Sequence, residues 1–238
     1  MRAQCQVRQP ILAVEVKVTL AGIAPAHWRR LVLPAAWSLR ASAELMCLAF
    51  HRPFHRSGGA AIAYFEVTGS TPGSVVRHWC GAEGTRAASQ RSASLNDILT
   101  PDLTRVTLVQ GDAPPEWNAS ESRQETIDPA WFTSAAFGKR CWRWDVHVES
   151  LHMEDGEAPI PRAVAGAGCR IDRGSTTLEE FRERVSRWRG ANAAPSAEPE
   201  GALRAECGDP DRADLPAIDA LMQEFAAPIW RRMKRLSM

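Results

Sequence analysis

The sequence predicts an α+β fold: a mainly antiparallel sheet packed against a few helices, plus a C-terminal helix. Several stretches alternate apolar and polar residues with a period of two, which is typical of half-buried strands. Other stretches repeat apolar residues with the helical period and carry capping signals. Strands and helices do not alternate as they do in βαβ units, so a doubly wound parallel sheet is not favoured.

The bulk composition indicates a globular chain with a sizeable core. The chain has 238 residues, 45% of them hydrophobic, and a formal net charge of +1. This charge excludes a protein whose whole surface attracts nucleic acid. Residues 1–100 contain 11 Lys and Arg but only 5 Asp and Glu. Residues 101–238 contain 18 Lys and Arg and 23 Asp and Glu. A modest basic patch in the first part is compatible with these counts.

The first two predicted strands flank a turn at Pro25. Residues 11–23 form the first, and residues 27–34, which read HWRRLVLP, form the second. In the first strand one face is apolar and the other polar: Val14, Val16, Val18 and Leu20 against Glu15, Lys17 and Thr19.

In the middle of the chain, the sequence pattern predicts one longer helix, a helical turn and more strands. Ser38 can cap a helix through residues 39–50. Strands are expected at 61–69, 74–80, 105–111 and 141–150, and a capped helical turn at 94–99. Residues 81–93 and 111–136 are polar and lack periodicity, so we expect loops there.

The last third predicts two helices joined by a linker. Residues 176–190 have a capping box at Thr177 and Glu180 and an end signal at Gly190. The apolar stripe of this helix is expected to be Leu178, Phe181, Val185 and Trp188. Residues 191–213 are rich in Ala, Pro, Glu and Gly and predict a flexible linker. The domain prediction is therefore an α+β domain over 11–190, a linker over 191–213 and an amphipathic basic helix over 214–238.

Cysteine usage and hydropathy predict a cytoplasmic protein with reduced thiols. The six cysteines are scattered without a Cys-x-x-Cys pair. No run is long and apolar enough for a membrane span, and the N-terminus lacks an apolar signal core.

The order of these segments resembles the Ri-plasmid ORF-3-like domain family, also called the insertion-element passenger, TnpR-like family. The resemblance spans about residues 11–190. Its first block, a Gly-Ile-x-Pro-x-x-Trp-Arg-Arg-Leu segment, is matched by Gly22, Ile23, Pro25, Trp28, Arg29, Arg30, Leu31, Leu33 and Pro34. Later blocks are matched by Phe137, Gly138, Trp142, Val146, Val148 and Glu149, then by Pro161, Arg162 and Gly166. The resemblance implies an α+β domain, frequent association with mobile elements and no established enzymatic activity.

Three departures affect the polar residues of that family. Lys139-Arg140 stand where the family has an Asp after Phe-Gly, and Trp144 stands where it has a His. The acidic Pro- and Gly-containing run that follows is replaced by residues 169–174, CRIDRG. Any site that the family builds there is expected to be lost or rebuilt in this chain.

The Trp-Arg-Arg block has two readings. On a strand, Trp28 and Arg30 share one face and Arg29 takes the other. We expect Trp28, with Trp142 and Trp144, to build the core, and the Arg stems to lie along the sheet. Alternatively Arg29 and Arg30 contact phosphate or a protein partner.

Catalytic and metal-binding patterns are weak. His51 and His55 are four apart, but Pro53 lies between them. A zinc site also needs a third or fourth ligand, and the possible ones, His78 and Cys80, are distant in the sequence. Asp145 and His147 face outward together but lack a third group. Cys47 is expected to be buried and inert. We therefore predict no catalytic residues, no metal and no cofactor.

The C-terminal helix carries a second cluster of candidate contacts. Trp230, Arg231, Arg232, Lys234 and Arg235 combine an aromatic ring with four cations. The helix can dock on its own domain, bind a partner, or touch nucleic acid.

The main functional hypothesis is a non-enzymatic binding protein with a protein partner. The alternative is a nucleic-acid-associated accessory factor of a plasmid or transposon, using the basic residues of the opening strand and the tail. A His- and Cys-dependent hydrolase or metalloenzyme is the third hypothesis.

Overall fold

The described residues of a computed structural model form eleven helices and strands. The structure describes residues 10–52, 61–68, 75–80, 93–98, 105–112, 137–138, 141–155, 160–171, 175–191, 209 and 211–236. The strands are β1 (Ile11–Leu20), β2 (Trp28–Pro34), β3 (Ala61–Thr68), β4 (Val75–Trp79), β5 (Arg105–Asp112), β6 (Trp142–Glu154) and β7 (Arg162–Ala167). The helices are α1 (Leu39–Leu48), α2 (Leu95–Ile98), α3 (Leu178–Ala191) and α4 (Leu215–Leu236).

The seven strands form one antiparallel sheet in the order β4-β3-β5-β6-β1-β2-β7. Together with the helices it confirms the predicted α+β class and the C-terminal helix. A bulge interrupts the pairing of β1 with β6, where Glu15 faces Ser150 but Val16 faces Val148.

The inner face of the sheet, on the side of α1 and α3, carries the core. The alternation predicted for β1 is confirmed, since Val14, Val16, Val18 and Leu20 are all buried there. Leu45 and Met46 of α1 join the same cluster, as do Phe181, Val185 and Trp188 of α3. The largest buried rings are Trp142, Trp144 and Trp188.

Helix α3 begins at the predicted capping box. Thr177 Oγ1 accepts from the Glu180 N–H at 3.2 Å, and Glu180 Oε2 accepts from the Thr177 N–H at 3.2 Å. The helix ends at Ala191, one residue beyond the Gly190 end signal.

Helix α4 packs against α1 and along the edge strand β7. Its Ile218, Met222 and Ala226 belong to the main core cluster. Asp219 Oδ1 accepts from the Ala163 N–H of β7 at 2.5 Å, and the Gln223 amide donates to the Pro161 carbonyl. The helix therefore covers an edge that would otherwise present unpaired backbone groups.

Several predicted boundaries differ from the structure. The first strand ends at Leu20 rather than at residue 23, β6 continues to Glu154, and β7 was not predicted as a strand. Residues 211–213, expected at the end of the linker, lie against β7: Arg212 bridges to Ala167, and the Gly168 N–H donates to the Asp211 carbonyl. The expected loops 81–92 and 113–136 and linker residues 192–208 lie outside the described residues.

Candidate binding surface

Arg29, a predicted contact residue, points into the core. Its side chain is 0% exposed, because it alternates with Trp28 and lies opposite Val18 on the inner face. Each of its five N–H groups donates to a backbone carbonyl at 2.6–3.1 Å, namely those of Trp28, Ala49, Ala167, Gly168 and Cys169. Burial lowers the pKa of Arg29 to about 10, which leaves it protonated at neutral pH. The predicted surface contact by Arg29 is therefore wrong.

Beside Arg29 lies a buried imidazole. His27 Nδ1 is 3.1 Å from the Pro25 carbonyl, and Nε2 is 3.6 Å from Cys169 Sγ. Burial lowers the pKa of His27 to about 4, against the raising effect of the Pro25 carbonyl. Gly168 has φ +82°, and a Cβ there would overlap the His27 ring. The cluster fixes the end of β7 against the start of β2.

Trp28 lies on the outer face of the sheet, half-buried, which corrects its expected place in the core. The Lys17 Nζ lies 4.9 Å from the centroid of its ring, and the Arg30 guanidinium lies 5.9 Å from it. The error has a simple cause. The same alternation that sends Arg29 inward sends Trp28 outward.

Arg30 shares this outer face and is held by carboxylates. Its Nε and Nη2 donate to the two oxygens of Glu149 at 2.5 and 2.9 Å, and its Nε lies 3.4 Å from Glu15. The Arg30 hydrogen bonds hold the pKa of Glu149 below its usual range. We call Lys17, Trp28, Arg30, Glu15 and Glu149 the outer patch.

The rest of the outer face continues this mixed-charge pattern. Glu66 lies 3.1 Å from both Arg77 and Arg143, and Asp145 lies 2.7 Å from Arg105. Asp145 is thus engaged with an arginine, while His147 is exposed nearby. Because positive and negative side chains alternate among the described residues of this face, those residues form no continuous positive surface of the kind that favours a polyanion.

A row of hydrogen-bonded side chains on β6 was not predicted, because the predicted strand ended at residue 150. Ser150 Oγ lies 3.2 Å from His152 Nδ1, and His152 Nε2 lies 2.9 Å from Glu154 Oε1. Arg162 donates to the same Glu154 oxygen at 2.6 Å. The signal was present as Ser-x-His-x-Glu, which aligns three side chains on one face of a strand.

The row has the order of a nucleophile, a base and an orienting acid. Arg162 and then His152 lower the pKa of Glu154, and the ionised carboxylate favours the proton on His152 Nε2. However, the Glu15 carboxylate lies 3.5 Å from the Ser150 hydroxyl. A negative neighbour opposes the charge that develops on a substrate oxygen in acyl transfer. The row is thus better suited to organising the sheet surface than to catalysis.

The C-terminal candidates divide between the fold and the surface. Trp230 donates through Nε1 to the Ile160 carbonyl at 3.1 Å and packs against Trp37 at 5.1 Å between centroids. Arg231 and Arg232 are exposed. The side chains of Lys234 and Arg235 lie outside the described residues.

The described cysteines are thiols that form no disulfide with one another, and they lie inside the fold. Cys47, Cys80, Cys141 and Cys169 are buried. Burial raises the pKa of Cys47 well above its usual range, in agreement with the predicted inert packing role.

The described residues offer neither a metal-binding cluster nor a membrane-spanning helix. They contain no cluster of three His, Cys, Asp or Glu side chains arranged to hold a metal ion. Their helices include none with the length and apolarity needed to cross a membrane. His55 lies outside the described residues.

Comparisons with known proteins support the fold of this chain and give no function. No family model and no curated protein matches this chain. A solved structure of a protein of unknown function from Methanosarcina mazei Go1 is similar, with a TM-score of 0.57 at 15% identity. The similarity covers 88% of this chain and 97% of that one.

Proposed function

We propose that this chain is a non-enzymatic, cytoplasmic binding protein that contacts a protein partner through the outer patch. The observation that carries this proposal is the placement of Trp28. The partly exposed indole of Trp28 offers a large contact area, and the cations of Lys17 and Arg30 lie against its ring. Trp and Arg are the residues most often dominant in protein interfaces.

The charges of the outer patch favour a protein over a nucleic acid as the partner. Arg30 is neutralised by Glu149 and Glu15, so phosphate binding there would have to displace carboxylates. A protein partner that carries both positive and negative side chains can instead form ion pairs with the carboxylates and with the cations of the outer patch.

The alternative is a nucleic-acid accessory factor that uses the C-terminal helix. Arg231 and Arg232 support it, because both are exposed on a helix that the core anchors through Met222. Membership of the Ri-plasmid ORF-3-like family and a link to mobile elements stay predictions, since no family model matches the chain.

A comparative binding experiment tests the main proposal. Immobilised wild-type chain, Trp28→Ala and Arg187→Ala would be exposed to the same extract after nuclease treatment. Arg187 is the control, because it is exposed on α3, away from the outer patch. A protein retained by wild type and Arg187→Ala but lost from Trp28→Ala, with all three chains folded by circular dichroism, is the expected result. Identical retention by all three chains would refute the proposal.

A salt titration tests the alternative. Binding of the chain to a labelled duplex and to a single-stranded RNA would be measured at two salt concentrations. If the helix contacts phosphate, Arg231→Ala/Arg232→Ala weakens binding, and the salt dependence falls by roughly one charge per arginine. An affinity that changes neither with the salt concentration nor with the substitutions would exclude this use of the helix.

A further inference from the structure

The row of outer-face side chains that contains Trp28 extends past β7. Trp28 lies opposite Ala167, and Ala167 forms an isolated bridge with Arg212. Residues directly opposite each other in antiparallel pairing share a face, so Arg212 lies on the outer face with Trp28. The next residue, Ala213, is buried beside Gly166 on the inner side, which agrees with this alternation.

Small side chains lie between Trp28 and Arg212. Ala167 separates the two, and Ala165, opposite Arg30, lies on the same face. Paired chains are about 4.8 Å apart, so the two large side chains begin roughly 10 Å from each other. Both alanines are partly exposed, and their methyl groups form the floor of a shallow depression beside the indole. We call Trp28, Ala165, Ala167 and Arg212 the alanine gap.

Two cations beside the alanine gap have no ion-pair partner among the described residues. The Lys17 Nζ lies 4.9 Å from the centroid of the Trp28 ring, and Lys17 forms no ion pair there. The same holds for Arg212, which is exposed. The exposed His147 lies opposite Lys17 on β6 and adds an imidazole. The carboxylates of the outer patch, in contrast, are both engaged with Arg30.

The carboxylates that neighbour Arg212 in the chain also have other partners. Asp209 accepts from the Asp211 N–H at 2.9 Å, and the Asp211 carboxylate lies 2.6 Å from Arg189. Asp214 accepts from an N–H in the first turn of α4 at 3.2 Å. The charges that a partner can still neutralise at the alanine gap are therefore positive, and they lie on two sides of an aromatic ring.

We infer that the alanine gap receives an acidic segment of the protein partner, and that this segment carries an apolar side chain. The apolar side chain packs against the indole of Trp28, above the two alanines. Carboxylates on one side of it pair with Lys17, and those on the other side pair with Arg212. This inference rests on the proposed function, because it specifies the chemistry of the partner that the outer patch binds.

The fixed carboxylates of the outer patch favour a peptide over a nucleic acid at this place. A phosphate backbone carries a negative charge at every nucleotide, so it would have to pass Glu15 and Glu149 beside Lys17. An acidic peptide can place its charges opposite the two cations alone.

Peptide selection on the full chain tests the chemistry of the occupant. A phage-displayed library of random peptides would be depleted on the Trp28→Ala chain and then applied to the immobilised wild-type chain. The expected peptides carry Asp or Glu on both sides of a Leu, Phe or Trp. Basic or uncharged peptides would overturn the inference and leave the proposed function standing. If depletion leaves no peptide, the inference is also overturned, and the proposed function then depends on the extract experiment alone.

Charge reversal tests the two cations. Binding of a selected peptide labelled with fluorescein would be measured by fluorescence anisotropy. Lys17→Glu/Arg212→Glu should raise the Kd about tenfold or more, and the neutral Lys17→Gln/Arg212→Gln should raise it by a smaller factor. Arg182→Glu/Arg187→Glu is the matched control, because it makes the same change of charge at exposed positions of α3, on the inner side of the sheet. It should keep the wild-type Kd.

Circular dichroism would check the folding of each variant, and the neutral double variant decides if the charge-reversed one does not fold. An unchanged Kd in Lys17→Gln/Arg212→Gln, or an equal loss of affinity in the α3 control, would overturn the inference. Duplex DNA or single-stranded RNA that binds more tightly than the peptide and displaces it would identify a nucleic acid as the occupant, and would overturn the inference as well.

Discussion

At the scale of single residues, two adjacent arginines have opposite roles. Arg29 donates all its N–H groups to carbonyls inside the fold, whereas Arg30 forms ion pairs on the outer face. Sequence alone gives them the same charge and length. Their roles differ because successive side chains of a strand point to opposite faces.

The first prediction separates these roles by conservative substitution. Arg29→Lys keeps the charge but lacks the planar fork, and leaves buried carbonyls without donors. We expect the free energy of unfolding to fall by about 1–3 kcal/mol, because buried carbonyls lose hydrogen-bond donors. Arg30→Lys, measured beside it by urea denaturation, should change stability little. Equal effects of the two substitutions would contradict the assigned roles.

The second prediction concerns pH and His27. Its pKa is lowered in the folded chain to about 4, so the unfolded chain binds the proton more tightly. Stability should therefore decrease as pH falls from about 6.5 towards 4, by up to about 3 kcal/mol. The upper part of this window lies above the range where carboxylates titrate.

Urea denaturation at a series of pH values measures this loss. His27→Gln should flatten the slope between pH 6.5 and 4.5, while His147→Gln, at an exposed position, should not. An unchanged slope in His27→Gln would show that another group causes the loss.

At the scale of elements, α4 is both a core helix and the cover of a sheet edge. Met222 enters the core on one side, and Asp219 binds the Ala163 N–H of β7 on another. An amphipathic pattern predicts such a helix but not the strand that it covers.

The third prediction tests the covering contact. Asp219→Ala leaves the Ala163 N–H, which lies at a buried position, without its acceptor, and we expect a loss of about 1–3 kcal/mol. Glu224→Ala, at an exposed position on the same helix, is the control for helix propensity. Chemical denaturation of both variants would decide, and equal stabilities would show that the edge contact contributes nothing.

At the scale of the whole molecule, the sheet separates an apolar core from a charged surface. The inner face holds the tryptophan-rich core, and the outer face holds the outer patch and its surrounding ion pairs. The C-terminal helix belongs to the same core and is not an independent tail.

The fourth prediction follows from this shared core. Met222→Ala should lower the free energy of unfolding by about 2–5 kcal/mol, and tryptophan fluorescence and far-ultraviolet circular dichroism should still change together. Met153→Ala makes the same chemical change at an exposed site and should have little effect. Separate transitions by the two probes would show that α4 unfolds on its own.

Much of the fold was predictable because it depends on local patterns. The period of two in β1 placed its valines on one face, and the Thr177–Glu180 spacing located the start of α3. Alternation also placed Trp28 and Arg30 on one face, but it did not show that this face is the outer one. β7 was missed because its Ala- and Gly-rich sequence has no strong period, and its pairing with β2 depends on distant residues.

The sequence by itself determined which residues share a face, whereas only the tertiary structure decided which face is inside. Composition favours Trp28 over Arg29 in a core. The reverse arrangement is stable because carbonyls far apart in the chain, from Ala49 to Cys169, converge on one guanidinium. No local pattern encodes that convergence, since it exists only once α1 and the end of β7 are packed against β2.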